Sequence, residues 1–285
     1  MCRGVASLKM RSMRRVGNIL LWSAISAAFI GPGTVTTAGK AGAEQGYGLI
    51  WALVLSTALC FVLQEAAASL AIRTGRSLPG AIFARHGAGL STLVVVAVIL
   101  GCAAFEAGNV LGAVAGASLA LPWGARTLVV VTGLLAAAML ALPQAANVAR
   151  AMGALVALMG LSFAASALLV GPPLGELVQG TLVPRIPLGS EALVLGLFGT
   201  TVVPYNLFLG SRLARGQSLE DMRLGLAVAV PLGGLISAAI VVVGAESSAP
   251  FSYDSLAAAL GQRLGSWAPL FFALGLFVAG LSSAI

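Results

Sequence analysis

Two short breaks in otherwise apolar segments carry the groups of this chain that could bind a solute. They are Gly31-Pro32-Gly33-Thr34 and Val203-Pro204-Tyr205-Asn206. Proline removes a backbone N–H and glycine releases the helical geometry, so carbonyl and amide groups are freed within an apolar region. Inside a bilayer, irregular backbone is tolerated where it lines a cavity or is buried in protein. The breaks therefore predict a cavity that binds a polar solute or an ion.

A single break would not decide this, because Gly and Pro also kink membrane helices for packing. Two breaks at corresponding positions of two hydrophobic halves are typical of the substrate site of a secondary transporter. We therefore expect Gly31, Thr34, Val203 and Asn206 at the site. For Tyr205, a hydroxyl that lines the cavity and ordinary aromatic packing remain equally open.

Glu106 lies deep within a long apolar run. An acidic side chain at membrane depth is costly, and its default interpretation is functional. The alternative is a structural acid that hydrogen-bonds a neighbouring helix. A carboxylate at this depth is suited to moving a proton.

The composition defines the elements that must position these residues. Hydrophobic residues make up 59% of the 285-residue chain and charged residues 9%, with a mean hydropathy of +1.02. A water-soluble globule needs more polar surface than this, so the chain is predicted to be an all-α integral membrane protein. The predicted spans are 18–43, 47–72, 93–119, 127–142, 151–170, 192–213, 224–244 and 267–285.

The basic residues predict the orientation. With the N-terminus in the cytoplasm, twelve of the 16 Lys and Arg residues fall on the cytoplasmic side, as the positive-inside rule requires. We therefore predict a multi-pass protein of the cell membrane with a cytoplasmic N-terminus. The net charge of +7 is explained by topology and anionic lipid headgroups, and no nucleic-acid partner is expected.

This topology makes spans one to five and six onward an inverted repeat in outline. The first broken span runs outward and the sixth runs inward, so the breaks would meet near the midplane. The predicted organisation is a basic tail (1–17), a first repeat (18–170), an outer loop (171–190) and an incomplete second repeat (191–285). Because a second repeat of five spans would need two more, we expect either a truncated chain or an abbreviated second half.

Other classes of site find little support in the sequence. The three Cys residues show no disulfide framework and no zinc spacing, and the single His86 has no ligand partner nearby. No hydrolase or metalloprotease motif occurs within the spans. We expect no cofactor and no enzymatic activity. The oligomeric state is left open.

Several blocks of the chain resemble the Nramp divalent-metal transporters, which have the LeuT-type inverted-repeat fold. The blocks are the stretch from Gly31 to Tyr47, Thr74-Gly-Arg-Ser-Leu78, Leu182-Val-Pro-Arg-Ile-Pro187, Gly199-Thr-Thr-Val-Val-Pro-Tyr-Asn-Leu-Phe-Leu-Gly-Ser211 and Gly280-Leu-Ser-Ser283. They follow one another in the same order as in the family. The resemblance implies a helical bundle of about eight transmembrane helices, with helices 1 and 6 broken.

The resemblance also implies a set of site residues, and the chain departs from several of them. The family's Asp-Pro-Gly-Asn has Gly31 and Thr34 at its two ligand positions here, and its Met-Pro-His has Val203 and Tyr205. Thr200 falls where the family offers a backbone carbonyl to the ion. Glu106 and Asn109 align with two acidic residues of the family's proton path.

These observations predict a transporter that moves a divalent metal cation, with proton coupling through Glu106. Loss of the carboxylate and thioether ligands predicts weak Mn²⁺ binding, because the site loses its formal charge and the soft ligand that favours transition metals over Mg²⁺ and Ca²⁺. Two alternatives remain at this point. One is a transporter of a non-metal solute on the same fold, and the other is a truncated paralogue that does not transport.

Overall fold

The structure of the protein is a computed structural model, and it describes residues 31–141, 145–247 and 250–284. Over these ranges the chain forms eleven helices. Their bounds are Pro32–Gln45 (α1), Ile50–Thr74 (α2), Leu78–Ser118 (α3), Ala125–Leu140 (α4), Ala145–Val170 (α5), Leu174–Leu182 (α6), Glu191–Thr201 (α7), Pro204–Leu213 (α8), Leu219–Ala245 (α9), Tyr253–Leu264 (α10) and Ala268–Ser283 (α11). The predicted tail 1–17 and the first part of the first span lie outside the described residues.

Five helical segments of the described ranges are long and apolar enough to cross a membrane, and they coincide with predicted spans. They are Ile50–Thr74, Leu78–Ser118, Gly153–Val170, Glu191–Leu213 and Leu219–Ala245. The predicted spans 127–142 and 267–285 correspond to α4 and α11, which are apolar helices of 16 residues each. The helix α1 is the described part of the first predicted span.

Both predicted breaks are helix boundaries. Gly31 has extended backbone angles and precedes Pro32, the first residue of α1. Between α7 and α8, Val202 (φ −94°, ψ 75°) and Val203 (φ −82°, ψ 118°) leave the helical region before Pro204 begins α8. Proline at the first helical position is favourable, since its missing N–H would have no acceptor there.

Two helix pairs share the most extensive contacts among the described helices. The helix α1 packs against α9, and α3 packs against α11. Glycines permit both contacts, because a Cβ at Gly42 would meet the backbone of α9 and a Cβ at Gly280 would meet the backbone of α3 at Asn109 and Ala113. Close approach of backbones through small residues is the usual way that membrane helices associate.

Two short helices connect the spans. Within the predicted outer loop 171–190, the helix α6 places Gly180 against the backbone carbonyl of Tyr47. The helix α10 follows α9 and was not predicted from the sequence. It begins with a capping box, in which the side chains of Ser252 and Ser255 each bond the other's backbone N–H.

The two ends of the bundle differ in charge. The basic end carries six arginines from α2, α3, α8, α9 and the loops beside them: Arg73, Arg76, Arg85, Arg212, Arg215 and Arg223. There Arg223 binds Glu65, with 2.7 Å between Nη2 and Oε1. The opposite end holds α6 and α10, where Arg263 binds Glu246 at 2.7 Å.

Candidate functional site

One cavity of about 220 Å³ lies where the two breaks meet. Its walls come from the first turn of α1, the middle of α3, the end of α7 and the start of α8. The residues that line it are Gly31, Gly33, Thr34, Ala104, Phe105, Gly108, Asn109, Thr200, Val203 and Tyr205. Six of the eight predicted site residues are therefore brought together here.

The first break supplies one wall of the cavity. Gly31, Gly33 and Thr34 line it, and α1 leads away from it. The Gly31 carbonyl accepts the first helical bond, from the N–H of Val35 at 3.1 Å. A helix begins with N–H groups that have no helical acceptor, so this end of α1 carries a partial positive charge next to the cavity.

The second break supplies a backbone carbonyl. In a continuous helix the Thr200 carbonyl would accept from the N–H of residue 204, but Pro204 has no N–H. The Thr200 side chain lines the cavity and donates back to the Gly196 carbonyl at 2.9 Å. Because of Pro204, the carbonyl of Thr200 has no helical N–H donor. It can accept a hydrogen bond from a solute or coordinate a cation.

The third wall is one face of α3. Phe105 and Tyr205 line the cavity together, with their rings in an edge-to-face contact at 5.7 Å between centroids. Asn109 is buried, and its Nδ2 donates to the Ser283 carbonyl at 3.2 Å. The Asn109 side chain is therefore held by the end of α11, and its amide oxygen is the group left to meet a solute.

Glu106 is the predicted proton-path residue that does not line the cavity. The lining residues of α3 occupy one side of the helix, and at 100° per residue position 106 falls outside that side. The side chain of Glu106 is half-buried. Glu106 is therefore close to the cavity in sequence but is not part of its wall.

Asn206 is the other predicted residue outside the lining. It is 1% exposed in the first turn of α8, and its Nδ2 has no hydrogen-bond partner among the described residues. Gln64 of α2, a helix that packs against α8, likewise has an unpartnered Oε1. An unmet buried amide group costs about 1–3 kcal/mol, so each of these two groups would gain from a hydrogen bond to a bound water.

The donor set of the cavity is neutral. Hydroxyl groups of Thr34, Thr200 and Tyr205, the Asn109 amide and backbone carbonyls are its polar groups. Across the described ranges, no group of three or more His, Cys, Asp or Glu side chains could hold a metal ion. The site could bind a hydrated or weakly held cation through neutral oxygens, without a charged ligand in its lining.

Four lining residues were not among the predicted site residues: Gly33, which lies within the first break, and Ala104, Phe105 and Gly108 of α3. The spacing of Gly108, Gly112 and Gly116 predicts one packing face, but the structure divides it. A Cβ at Gly112 would meet Pro32 and one at Gly116 would meet α11, whereas one at Gly108 would meet no described residue within 4 Å. The signal that could have found Gly108 was its place directly before Asn109, which the resemblance aligns with the family's proton path.

Curated relatives align with almost the whole length of this chain. The divalent metal cation transporter MntH of Deinococcus radiodurans is 30% identical over 96% of this chain and 67% of its own length. The MntH of Verminephrobacter eiseniae is 28% identical over 92% of this chain and 64% of its own length. The chain thus spans about two thirds of the length of these relatives.

Solved structures show the same fold. A crystal structure of a manganese transporter mutant from Eremococcus coleocola superposes with a TM-score of 0.75 at 21% identity, covering 92% of this chain and 61% of that one. The predicted all-α, LeuT-type architecture is therefore confirmed. The family of natural resistance-associated macrophage protein-like proteins matches residues 23–285. The chain thus belongs to the Nramp family of membrane transporters.

Proposed function

We propose that the chain moves a divalent metal cation across the membrane by alternating access, through the cavity between its two helix breaks. The observation that carries this proposal is that both breaks line one cavity. Freed carbonyls and helix ends at a midplane cavity are the groups that transporters of this architecture use to hold solutes. The MntH names of the curated relatives support a metal as the solute.

The metal would be bound weakly. Neutral hydroxyl and carbonyl oxygens are hard ligands, and they suit a cation that keeps part of its water shell. Without a carboxylate or thioether in the lining, desolvation of Mn²⁺ has little compensation. We expect Mn²⁺ to bind more weakly than micromolar, which isothermal calorimetry measures directly.

The finer parts of the proposal concern coupling and orientation. Glu106 would carry the coupled proton, because it is the carboxylate nearest in sequence to the cavity lining on α3. The basic end would lie on the cytoplasmic side of the cell membrane, since loops rich in Lys and Arg are retained on that side. The proposed role is transport, without enzymatic chemistry.

Uptake into proteoliposomes tests the proposal. Mn²⁺ and Mg²⁺ uptake would be measured with an inward proton gradient and without one, for the parent chain, Glu106→Gln and Glu176→Gln. Glu176 is exposed on α6, far along the chain from the cavity, and it serves as the matched control. We expect uptake that needs both the gradient and Glu106. Uptake of neither ion by the parent would contradict the proposal.

A second candidate is a solute that carries an anionic group. The N-terminal ends of α1 and α8 both border the cavity, and no carboxylate of the described residues lines it. Helix N-termini carry about half a positive charge each and attract carboxylates. Thermal stabilisation by small carboxylic acids, with none by Mn²⁺ or Mg²⁺, would favour this candidate over a cation.

A further inference from the structure

Two arginines converge on one cleft at the basic end. Arg76 and Arg85 line an open cleft of about 680 Å³ between the end of α2 and the start of α3. Neither side chain forms a salt bridge with a described residue, whereas Arg223 is engaged by Glu65. Two guanidinium groups without a counter-ion make the cleft suited to an anion, above all to a phosphate.

An apolar crevice of about 240 Å³ lies on another side of the same segment of α3. Pro79, Ile82, Val95 and Val98 of α3 line it together with Phe208 of α8. Its one hydroxyl group, that of Ser91, already donates to the Gly87 carbonyl at 2.8 Å. The crevice therefore offers no unmet polar group, and a hydrocarbon chain is the occupant that suits it.

The cleft and the crevice share one segment of α3, the arm 78–86 that precedes a kink at Gly87. Gly87 has φ 72° and ψ −167°, angles that only glycine adopts readily, so the arm 78–86 departs from the axis of the rest of α3. The Ser211 side chain accepts a hydrogen bond from the N–H of Leu78 at 3.0 Å, which holds the arm against α8. One short arm thus borders a cationic cleft and an apolar crevice.

We propose that this arm binds an anionic phospholipid. Arg76 and Arg85 hold the headgroup phosphate, and one acyl chain lies in the crevice between α3 and α8. A soluble anion would use the cleft and leave the crevice empty, and a zwitterionic lipid would gain less from two uncompensated arginines. Basic pockets between helices at a membrane surface are known to select anionic headgroups.

Quenching by brominated lipids tests the proposal. A tryptophan introduced by Phe208→Trp reports on the crevice, and the parent chain supplies the background from its 4 native tryptophans. In membranes of phosphatidylcholine with brominated phosphatidylglycerol, we expect additional quenching in Phe208→Trp. With Arg76→Gln and Arg85→Gln added, the relative affinity for phosphatidylglycerol should fall by roughly ten-fold or more.

The matched control removes two arginines from other surface positions. Arg126 and Arg185 are exposed and line neither cavity, so Arg126→Gln with Arg185→Gln should leave the quenching unchanged. Native mass spectrometry of the same arginine variants with Phe208 intact gives a second readout, the number of phosphatidylglycerol molecules retained. Equal quenching by brominated phosphatidylcholine, or equal lipid retention in both double variants, would overturn the proposal.

Discussion

The two broken spans are held by different kinds of contact. The helix after the first break, α1, meets α9 backbone to backbone: a Cβ at Gly42 would overlap Val241, and one at Gly244 would overlap Gly39. The helix after the second break, α8, packs on α2 and α3 mainly through side chains. Backbone contacts permit little adjustment, whereas side chains can repack.

Two linked hydrogen bonds also stabilise the position of α1. The hydroxyl oxygens of Tyr253 and Thr36 lie 2.6 Å apart, and Thr36 donates to the Pro32 carbonyl at 2.7 Å. The ring of Phe251, in the segment just before α10, packs against Gly39 of α1. In contrast, the first turn of α8 holds the buried Asn206, whose Nδ2 has no hydrogen-bond partner among the described residues. We therefore expect α1 to be the fixed side of the site and α8 the adjustable side.

Gly42→Val tests the backbone contact between α1 and α9 and has the largest expected effect on stability. The added side chain would meet the backbone of α9 at Val241 and Ala245, which cannot move aside. We expect a loss of stability of about 3 kcal/mol or more, seen as poor yield of folded protein in size-exclusion chromatography. Gly133→Ala is the control, because its Cβ would meet no described residue within 4 Å. Equal yields of the two variants would show that α1 is not held by backbone contact.

Pro204→Ala alters the second break without adding bulk. The new N–H at position 204 can bond the Thr200 carbonyl and extend α7 into α8. Loss of one strong polar contact to the solute, about 1.5 kcal/mol, corresponds to roughly ten-fold lower uptake at unchanged protein yield. Pro231→Ala, within α9, is the matched proline variant. Parallel losses in both variants would point to general helix damage.

Tyr253→Phe removes the link between α10 and α1. We expect a loss of about 1 kcal/mol, measured as a lower thermal midpoint than for the parent, while Tyr47→Phe serves as the control. Burial raises the pKa of Tyr253 above its ordinary value of 10.0, so the folded state favours the neutral hydroxyl. The stability from this burial is complete below pH 10 and is lost as the pH rises through the folded pKa.

The difference in thermal midpoint between the parent and Tyr253→Phe should therefore decrease above pH 10. A difference that stays constant across that range would mean that the hydroxyl of Tyr253 is not the group that links α10 to α1.

Asn206→Leu gives the smallest expected effect on stability. The amide has a donor without a partner, so an apolar side chain of similar size should change stability by less than about 1 kcal/mol. Uptake should fall, because the amide beside the cavity is lost. Asn109→Leu is the contrasting variant, since its amide bonds Ser283 and its loss should cost stability as well. A large stability loss in Asn206→Leu would contradict an adjustable α8.

The sequence was sufficient for the architecture because the physical signals were local. Apolar length marked the spans, and the prolines and glycines at 31–34 and 203–206 marked the breaks. The match of those breaks to an inverted repeat also indicated that they would meet. The short helix α10 was missed because its 12 residues are too few for a membrane span, and its capping box of Ser252 and Ser255 is a brief signal.

Tertiary contacts were harder to predict. Nothing in the spacing of Gly108, Gly112 and Gly116 tells which glycine meets a helix and which borders a cavity, since that depends on the path of α1 and α11. The separation of Glu106 from the lining likewise depends on how α3 is rotated in the bundle. Rotation is set by packing partners that are remote in sequence.

The central claim is that the solute passes through the cavity between the breaks, and blocking that cavity tests it most directly. Gly108→Trp fills the cavity from α3, whereas Gly101, seven residues earlier on the same helix, does not line it. A Cβ at either position meets no described residue within 4 Å, so Gly101→Trp is the control. In proteoliposomes, we predict that cation uptake is abolished by Gly108→Trp and retained by Gly101→Trp. Equal uptake by the two variants would contradict the account.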